Sequence, residues 1–315
     1  MSRWPPPDVF AAVMATGILS IGASDHRYGW LSGALGVLAT AGMVVLVVAA
    51  GRALTRWELR DADVTLRLFT FVAACAVLDS RLDAHPIVVR ALGAVALTAW
   101  LVLATLTWRN MVSAGLGVLR TRAHGAWELA SVGTSGLAIV AAQVARNTGD
   151  RGWAVVAVAV WLSAIAIYLG MTWLILWRTV REREDREGFA PDDWILMGAL
   201  AIATLAGHTI YPVTASWLAG PVRVVTIVTW VVASGWIPPL VYFVLHRVNR
   251  RPAVLHLTGA WWALVFPLGM YSVATAAMAE ELRAPGLQTV SLVFFWDALT
   301  AWMIVLGAGA LRVRR

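Results

Sequence analysis

The sequence predicts an all-α integral membrane protein whose ten transmembrane helices fold as five helical hairpins around a central pore. Three observations lead there. Hydrophobic residues make up 60% of the 315-residue chain, above the roughly 45–50% of soluble domains, and mean hydropathy is +0.73. Charged residues divide the chain into uncharged runs, most of them of spanning length. Those runs alternate between plainly apolar ones and ones carrying small and polar residues.

The uncharged runs are residues 9–24, 28–51, 68–78, 91–108, 129–145, 152–177, 194–222, 224–246, 252–279 and 284–311, the last interrupted only by Asp297. Most reach the roughly 17–25 residues that cross a bilayer as a helix. The third, 68–78, is short, so its helix must continue past Arg67 and Asp79, with those side chains reaching for the interface. Arginine placement supports keeping it. With ten spans and a cytoplasmic N-terminus, 18 of the 25 arginines lie inside, and 7 (Arg27, Arg81, Arg90, Arg146, Arg151, Arg223, Arg283) lie outside. Without the third span the balance becomes 11 inside and 14 outside. The positive-inside rule therefore favours ten spans in an inner (cell) membrane, both termini cytoplasmic.

A signal peptide over the first run, led by Arg3, is the alternative for that segment. Trp4-Pro5-Pro6-Pro7-Asp8 is a poor basic leader, and the arginine balance wants the helix retained. Residues 1–315 thus read as a single transmembrane domain, with a mixed-charge cytoplasmic linker at about 178–193. Trp4, Trp30, Trp108, Trp153, Trp177 and Trp194 fall at span ends, as an interfacial belt does.

Polar character concentrates in the odd-numbered spans: Thr16, Gly17 and Ser20; Thr70 and Cys75; Gly133, Thr134, Ser135, Gly136 and Gln143; Thr204, Gly207 and His208; Pro267, Gly269, Ser272 and Thr275. This places the odd helices around a polar path and the even helices against lipid. Thr16, Ser20, Thr134, Ser135, Thr204 and His208 are the candidate pore-lining residues. Against that stands a plainer reading, in which small and hydroxyl residues serve helix packing. Asp297 departs from the pattern: it is an ionisable residue in an even span, expected to face protein or water.

In the ninth span, Phe266-Pro267 precedes Gly269. Proline lacks the N–H that would bond the Ala263 carbonyl and its ring crowds that group, so a kink or break is expected there. Broken spans tend to face an internal path, because freed backbone groups cost several kcal/mol in lipid. The simpler alternative is a kink with Phe266 packed on a neighbouring helix.

Composition also excludes chemistry. The chain has no lysine, hence no Walker A loop, no Schiff base and no lysine general base. A lone cysteine, Cys75, leaves no internal disulfide and no thiol metal cluster, and no cofactor is expected. In a membrane protein the net charge of +7 reflects loops facing anionic lipid rather than a nucleic-acid partner. One enzyme reading arises from Gly133-Thr134-Ser135-Gly136 and His208, a serine–histidine pair of the intramembrane-protease kind. Ten spans are too many for the rhomboid family, and the surroundings of His208 (LAGHTIYP) do not look like its histidine helix. Otherwise His208 is a histidine hydrogen-bonded within the bundle, or the coupling residue of a proton-driven carrier.

FAAVMATGILSIG in span 1, DDWILMGALAIATLAG entering span 7, SGWIPPLVYFVLHR in span 8 and WWALVFPLGMYSVAT in span 9 together resemble the tellurite-resistance/dicarboxylate transporter family. That family includes fungal malate permeases and plant slow anion channels. The resemblance runs in order from about Pro5 to the C-terminus. It implies a homotrimer in which each protomer encloses its own pore of five inner helices, passing small monovalent anions or C4-dicarboxylates such as malate. It also implies a phenylalanine plug on the ninth helix, which the WW-x-x-x-FP pattern puts at Phe266 rather than at Trp262 or Leu264. Nothing in the chain offers tellurium chemistry.

Overall fold

The computed structural model describes residues 5–82, 86–181, 191–250 and 261–313. Most of the expected charged linker, and the start of the uncharged run at 252–279, lie outside the described residues. The helices are α1 (Ala11–Asp25), α2 (Gly29–Ala53), α3 (Ala62–Arg67), α4 (Phe69–Arg81), α5 (Pro86–Arg122), α6 (Leu129–Thr148), α7 (Arg151–Arg181), α8 (Ile195–Ile210), α9 (Ser216–Arg250), α10 (Trp262–Glu281) and α11 (Gly286–Val313). Among the described residues, eight helical segments are long and apolar enough to cross a membrane.

Two apolar helices, α1 and α4, are shorter, at 15 and 13 residues. At 1.5 Å per residue α4 covers about 20 Å, against a hydrocarbon core of about 30 Å. The short third run does continue past Arg67, but as two pieces: α3 meets α4 through Leu68. At its other end the expectation fails for Asp79, whose side chain is fully buried rather than reaching for an interface. Helix α4 runs on for two residues to Arg81, so Asp79 stays among the packed inner helices.

Burial separates the helices into two layers. Helices α1, α4, α6, α8 and α10 bury most of their side chains. The other long helices turn large apolar residues outward, among them Val45, Leu101, Val155, Val228 and Met303. Each buried helix packs against the next long helix in the chain, and the buried five also contact one another in cyclic order: α1, α4, α6, α8, α10 and back to α1. Small residues make these seams close. A Cβ on Gly17 would meet Val77, one on Gly136 would meet Ala76, and one on Gly198 would lie 2.9 Å from the ring of Pro267.

Three boundaries differ from the charge-based reading. The turn before α9 lies at Tyr211–Val213, so Arg223 is inside α9 rather than between two spans. Pro212 sets this turn, because a proline there stops the preceding helix better than a single arginine can. Helix α5 continues through Arg109 to Arg122, interrupted at Gly115, whose φ of 74° suits glycine. Helix α10 runs unbroken from Trp262 to Glu281 with Pro267 inside it, so the expected break at Pro267 and Gly269 is absent. Both residues are packing points instead: the Pro267 ring rests on Gly198 of α8, and Gly269 faces Ile18 of α1.

Candidate pore and its two mouths

Helix α10 fixes the orientation of Phe266. Successive residues turn by about 100° around a helix. Pro267 faces α8 and Gly269 faces α1. Ser272 donates to the Ser291 carbonyl of α11 at 2.7 Å, Thr275 accepts from Trp230 of α9 at 3.2 Å, and Tyr271 pairs with Ser234 of α9 at 2.8 Å. Phe266 and Met270 therefore fall on the remaining arc, between the α8 and α1 seams and away from the outer layer. Both are fully buried. Of the other aromatic and aliphatic candidates, Trp262 is only half-buried, and Leu264 is half-buried on the outward arc.

The candidate hydroxyls mostly point the other way. Thr16 accepts the indole N–H of Trp302 (α11) at 2.9 Å, and Thr134 accepts that of Trp100 (α5) at 2.8 Å. Thr204 pairs with Thr229 of α9 at 2.9 Å. In α8 the same device uses a carbonyl, Ala203 O accepting from Trp161 (α7) at 2.7 Å. An outer-layer tryptophan thus staples four of the five buried helices to the outer layer. Ser20 donates to the Ser32 carbonyl of α2 and accepts from Arg81 Nε, both at 2.7 Å. Ser135 differs: its hydroxyl is buried and makes no hydrogen bond among the described residues. These threonines show no sequence feature that separates a staple from a pore lining; only the paired tryptophans, far along the chain, reveal it.

At the N-terminal ends of the buried helices lies a charge cluster that sequence reading missed. His124, just before α6, places Nδ1 2.7 Å from Asp192 and Nε2 2.6 Å from Asp63. A neutral imidazole has one N–H, so bonding two carboxylates this way calls for the imidazolium. Burial opposes that charge, but the bonds to Asp192 and Asp63 outweigh it and push His124 up to about 9. Asp63 also accepts from Arg67 Nε at 2.9 Å, and Arg67 reaches Asp8 at 3.0 Å. Although burial acts upward on Asp63, His124 and Arg67 hold its carboxyl well below the usual range. Asp8 precedes α1, Arg67 ends α3 where it leads into α4, His124 precedes α6 and Asp192 precedes α8, so the cluster ties four buried helices together.

At the opposite side, the C-terminal ends of α8 and α10 together with α9 line a cavity of about 670 Å³ with His208, Tyr211, Arg223, Glu280, Glu281 and Arg283. Arg223 Nε lies 2.6 Å from Glu281, while His208 Nδ1 is 4.0 Å from it and makes no hydrogen bond among the described residues. His208 thus stands near the C-terminal end of α8 rather than midway along the bundle. Asp297 is exposed on the outer face of α11.

Residues 5–309 match the family described as SLAC1, Voltage-dependent anion channel. The chain belongs to that family. Curated relatives agree in kind: it is 34% identical over 120 residues to the "Uncharacterized membrane protein Rv1735c" of Mycobacterium tuberculosis H37Rv, a match covering 36% of this chain and 60% of that protein. It is also 21% identical over 149 residues to the "Uncharacterized transporter MJ0762" of Methanocaldococcus jannaschii, covering 46% of this chain and 42% of that protein. The chain thus spans about three fifths of the first relative's length and less of the second's.

This SLAC1-family chain is a multi-pass helical membrane protein. The serine–histidine reading fails on geometry as well. Ser135 Oγ has no hydrogen-bond partner among the described residues, and His208 belongs to the C-terminal cavity.

Proposed function

We propose that the chain forms a pore for small anions, monovalent or C4-dicarboxylate, along the axis of the five buried helices, with Phe266 as its plug. The observation that carries this reading is the buried, inward arc of α10 occupied by Phe266, flanked by the α8 and α1 seams. Small residues keep the five helices close, so one aromatic ring fills the space between them. No arginine of the described residues sits on that arc, so anions would be stabilised weakly by backbone and hydroxyl dipoles, as suits fast passage. Ser135, with its unbonded hydroxyl, is the best remaining dipole for that role.

In this reading the ten helices α1, α2 and α4–α11 all span, arranged as five hairpins, with both termini cytoplasmic in a cell (inner) membrane. The short α1 and α4 span because outer helices and polar end segments, rather than lipid, surround them. A homotrimer accounts for Asp297: a carboxylate facing hydrocarbon near the middle of α11 costs roughly 2.5–3.5 kcal/mol unless another copy covers it. Flux of chloride, nitrate and malate into proteoliposomes tests the proposal. A folded, reconstituted chain that passes none of the three, either as wild type or as Phe266→Ala, sinks it.

A further inference from the structure

Three buried helices end at the C-terminal mouth in a left-handed cap. Helix α6 uses Gly149, with φ 68°, the residue such a cap ordinarily takes. Helices α1 and α10 instead use Arg27 (φ 63°) and Arg283 (φ 50°). The two arginine caps carry matching backbone bonds: Arg27 N–H to Ser24 and Tyr28 N–H to Ala23, Arg283 N–H to Glu280 and Ala284 N–H to Ala279. An L residue held left-handed is strained where glycine would be free of cost, and such outliers gather at functional sites. The two caps leave a pair of exposed arginines at the C-terminal ends of α1 and α10.

One of them, Arg283, lines the cavity together with Arg223 and His208, and has no ion pair among the described residues. Arg223 is engaged, but by a carboxylate of its own chain. Its Nε meets Glu281 Oε1 at 2.6 Å, and its Nη2 reaches the Glu281 backbone carbonyl at 3.5 Å. Glu281 Oε2 lies toward His208 Nδ1, a buried nitrogen with no hydrogen bond among the described residues. A guanidinium and, at longer range, an imidazole thus face one carboxylate inside a cavity whose wall also carries Arg283 and which is large enough for a small organic acid. Glu280 supplies the remaining negative charge on the wall.

We propose that this cavity is a docking site for small carboxylate anions, in which the Glu281 side chain occupies the ligand's position until one arrives. The ligand's carboxylate replaces that of Glu281 on Arg223, with Arg283 and His208 facing its remaining oxygens. Arginine is the fitting residue for this exchange, because its planar fork pairs with carboxylates and cannot be deprotonated. The inference rests on the pore reading and adds where an anion first docks. It also gives Glu281 a role: a resident competitor that keeps affinity low, so that a docked anion leaves again.

The test is equilibrium binding of malate and succinate to the purified full chain in detergent, by titration calorimetry, with no flux involved. Glu281→Gln removes the competitor and is expected to tighten malate binding several-fold. Arg223→Gln is expected to weaken it several-fold, and Arg223→Lys, which keeps the charge but not the fork, to fall between. Thermal unfolding of each variant checks that the fold is intact. Malate affinity unchanged by Glu281→Gln and Arg223→Gln in folded protein overturns the site, as does an absence of binding in both wild type and Glu281→Gln. Because binding is read apart from transport, a chain that conducts anions but binds no carboxylate refutes the docking site alone.

Discussion

The two ends of the buried helix ring are built on opposite principles. At the N-terminal end, each ionic group answers another: His124 bridges Asp63 and Asp192, and Arg67 bridges Asp63 and Asp8. The groups come from segments leading into four different buried helices, so the cluster acts as a clamp. At the C-terminal end the charges line a cavity, Arg283 among them without an ion pair in the described residues, and the close pair Arg223–Glu281 lies on its wall. Phe266 is the fifth residue of α10 and so lies nearer the clamped end. For the proposed pore, the difference teaches where a conducting change can happen cheaply. Rotating one ring moves no charge, whereas spreading the N-terminal mouth separates carboxylates from their cations.

That contrast can be broken at the clamp first. His124→Ala leaves Asp63 and Asp192 facing each other without their shared cation. Losing one partner of a fully buried pair costs about 3–5 kcal/mol. The ring is 23% exposed, so a loss of about 2–3 kcal/mol is expected after solvent screening, read as a lower unfolding temperature in detergent. The pH dependence follows from the raised titration point. His124 binds its proton more tightly in the folded chain, so its contribution is complete below the ordinary histidine range and is lost as pH rises through about 9. Unfolding temperature should therefore fall between pH 7 and 10 in wild type, and His124→Gln should flatten that decline. No comparable alkaline loss from this site in wild type would show that the imidazolium is not what holds the clamp.

Smaller effects sharpen the inner ring between the mouths. Gly198→Ala puts a methyl 2.9 Å from the Pro267 ring, and overpacking of this kind costs about 1–3 kcal/mol. The same substitution shifts α10 against α8 and should alter conductance as well as stability. Thr134→Val removes the acceptor of the Trp100 staple at about 1 kcal/mol. Since that hydroxyl faces the outer layer, chloride-to-nitrate selectivity should stay as in wild type; a changed ratio would put Thr134 on the path after all. Ser135→Ala removes a buried hydroxyl without a partner among the described residues, so stability should hold or rise by up to about 1 kcal/mol, while conductance falls if the pore uses that dipole.

Much of this architecture was legible in the sequence because lipid imposes it. Uncharged runs gave the long helices, and the concentration of Gly, Ser and Thr in alternate runs marked those that become buried. Turn positions were less legible, since an arginine such as Arg223 sits readily within the first turns of a helix while Pro212 ends one. Hydroxyl direction was not legible at all. Thr16 and Thr134 satisfy tryptophans that lie 286 and 34 residues away along the chain. Pro267 misled in a particular way: it suggested a break, yet its lost hydrogen bond is tolerated within a continuous helix whose ring side seats on Gly198. His124 escaped notice because its meaning depends on Asp63 and Asp192, each more than 60 residues distant.

The central claim is that one ring closes the path, and single-substitution current measurements test it most directly. Phe266→Ala, reconstituted beside wild type and beside Leu264→Ala on the outward arc of the same helix, should carry chloride current at least about tenfold above wild type, a barrier change of about 1.4 kcal/mol, while Leu264→Ala stays at the wild-type level. Equal currents in Phe266→Ala and wild type, with both proteins folded, would contradict the account.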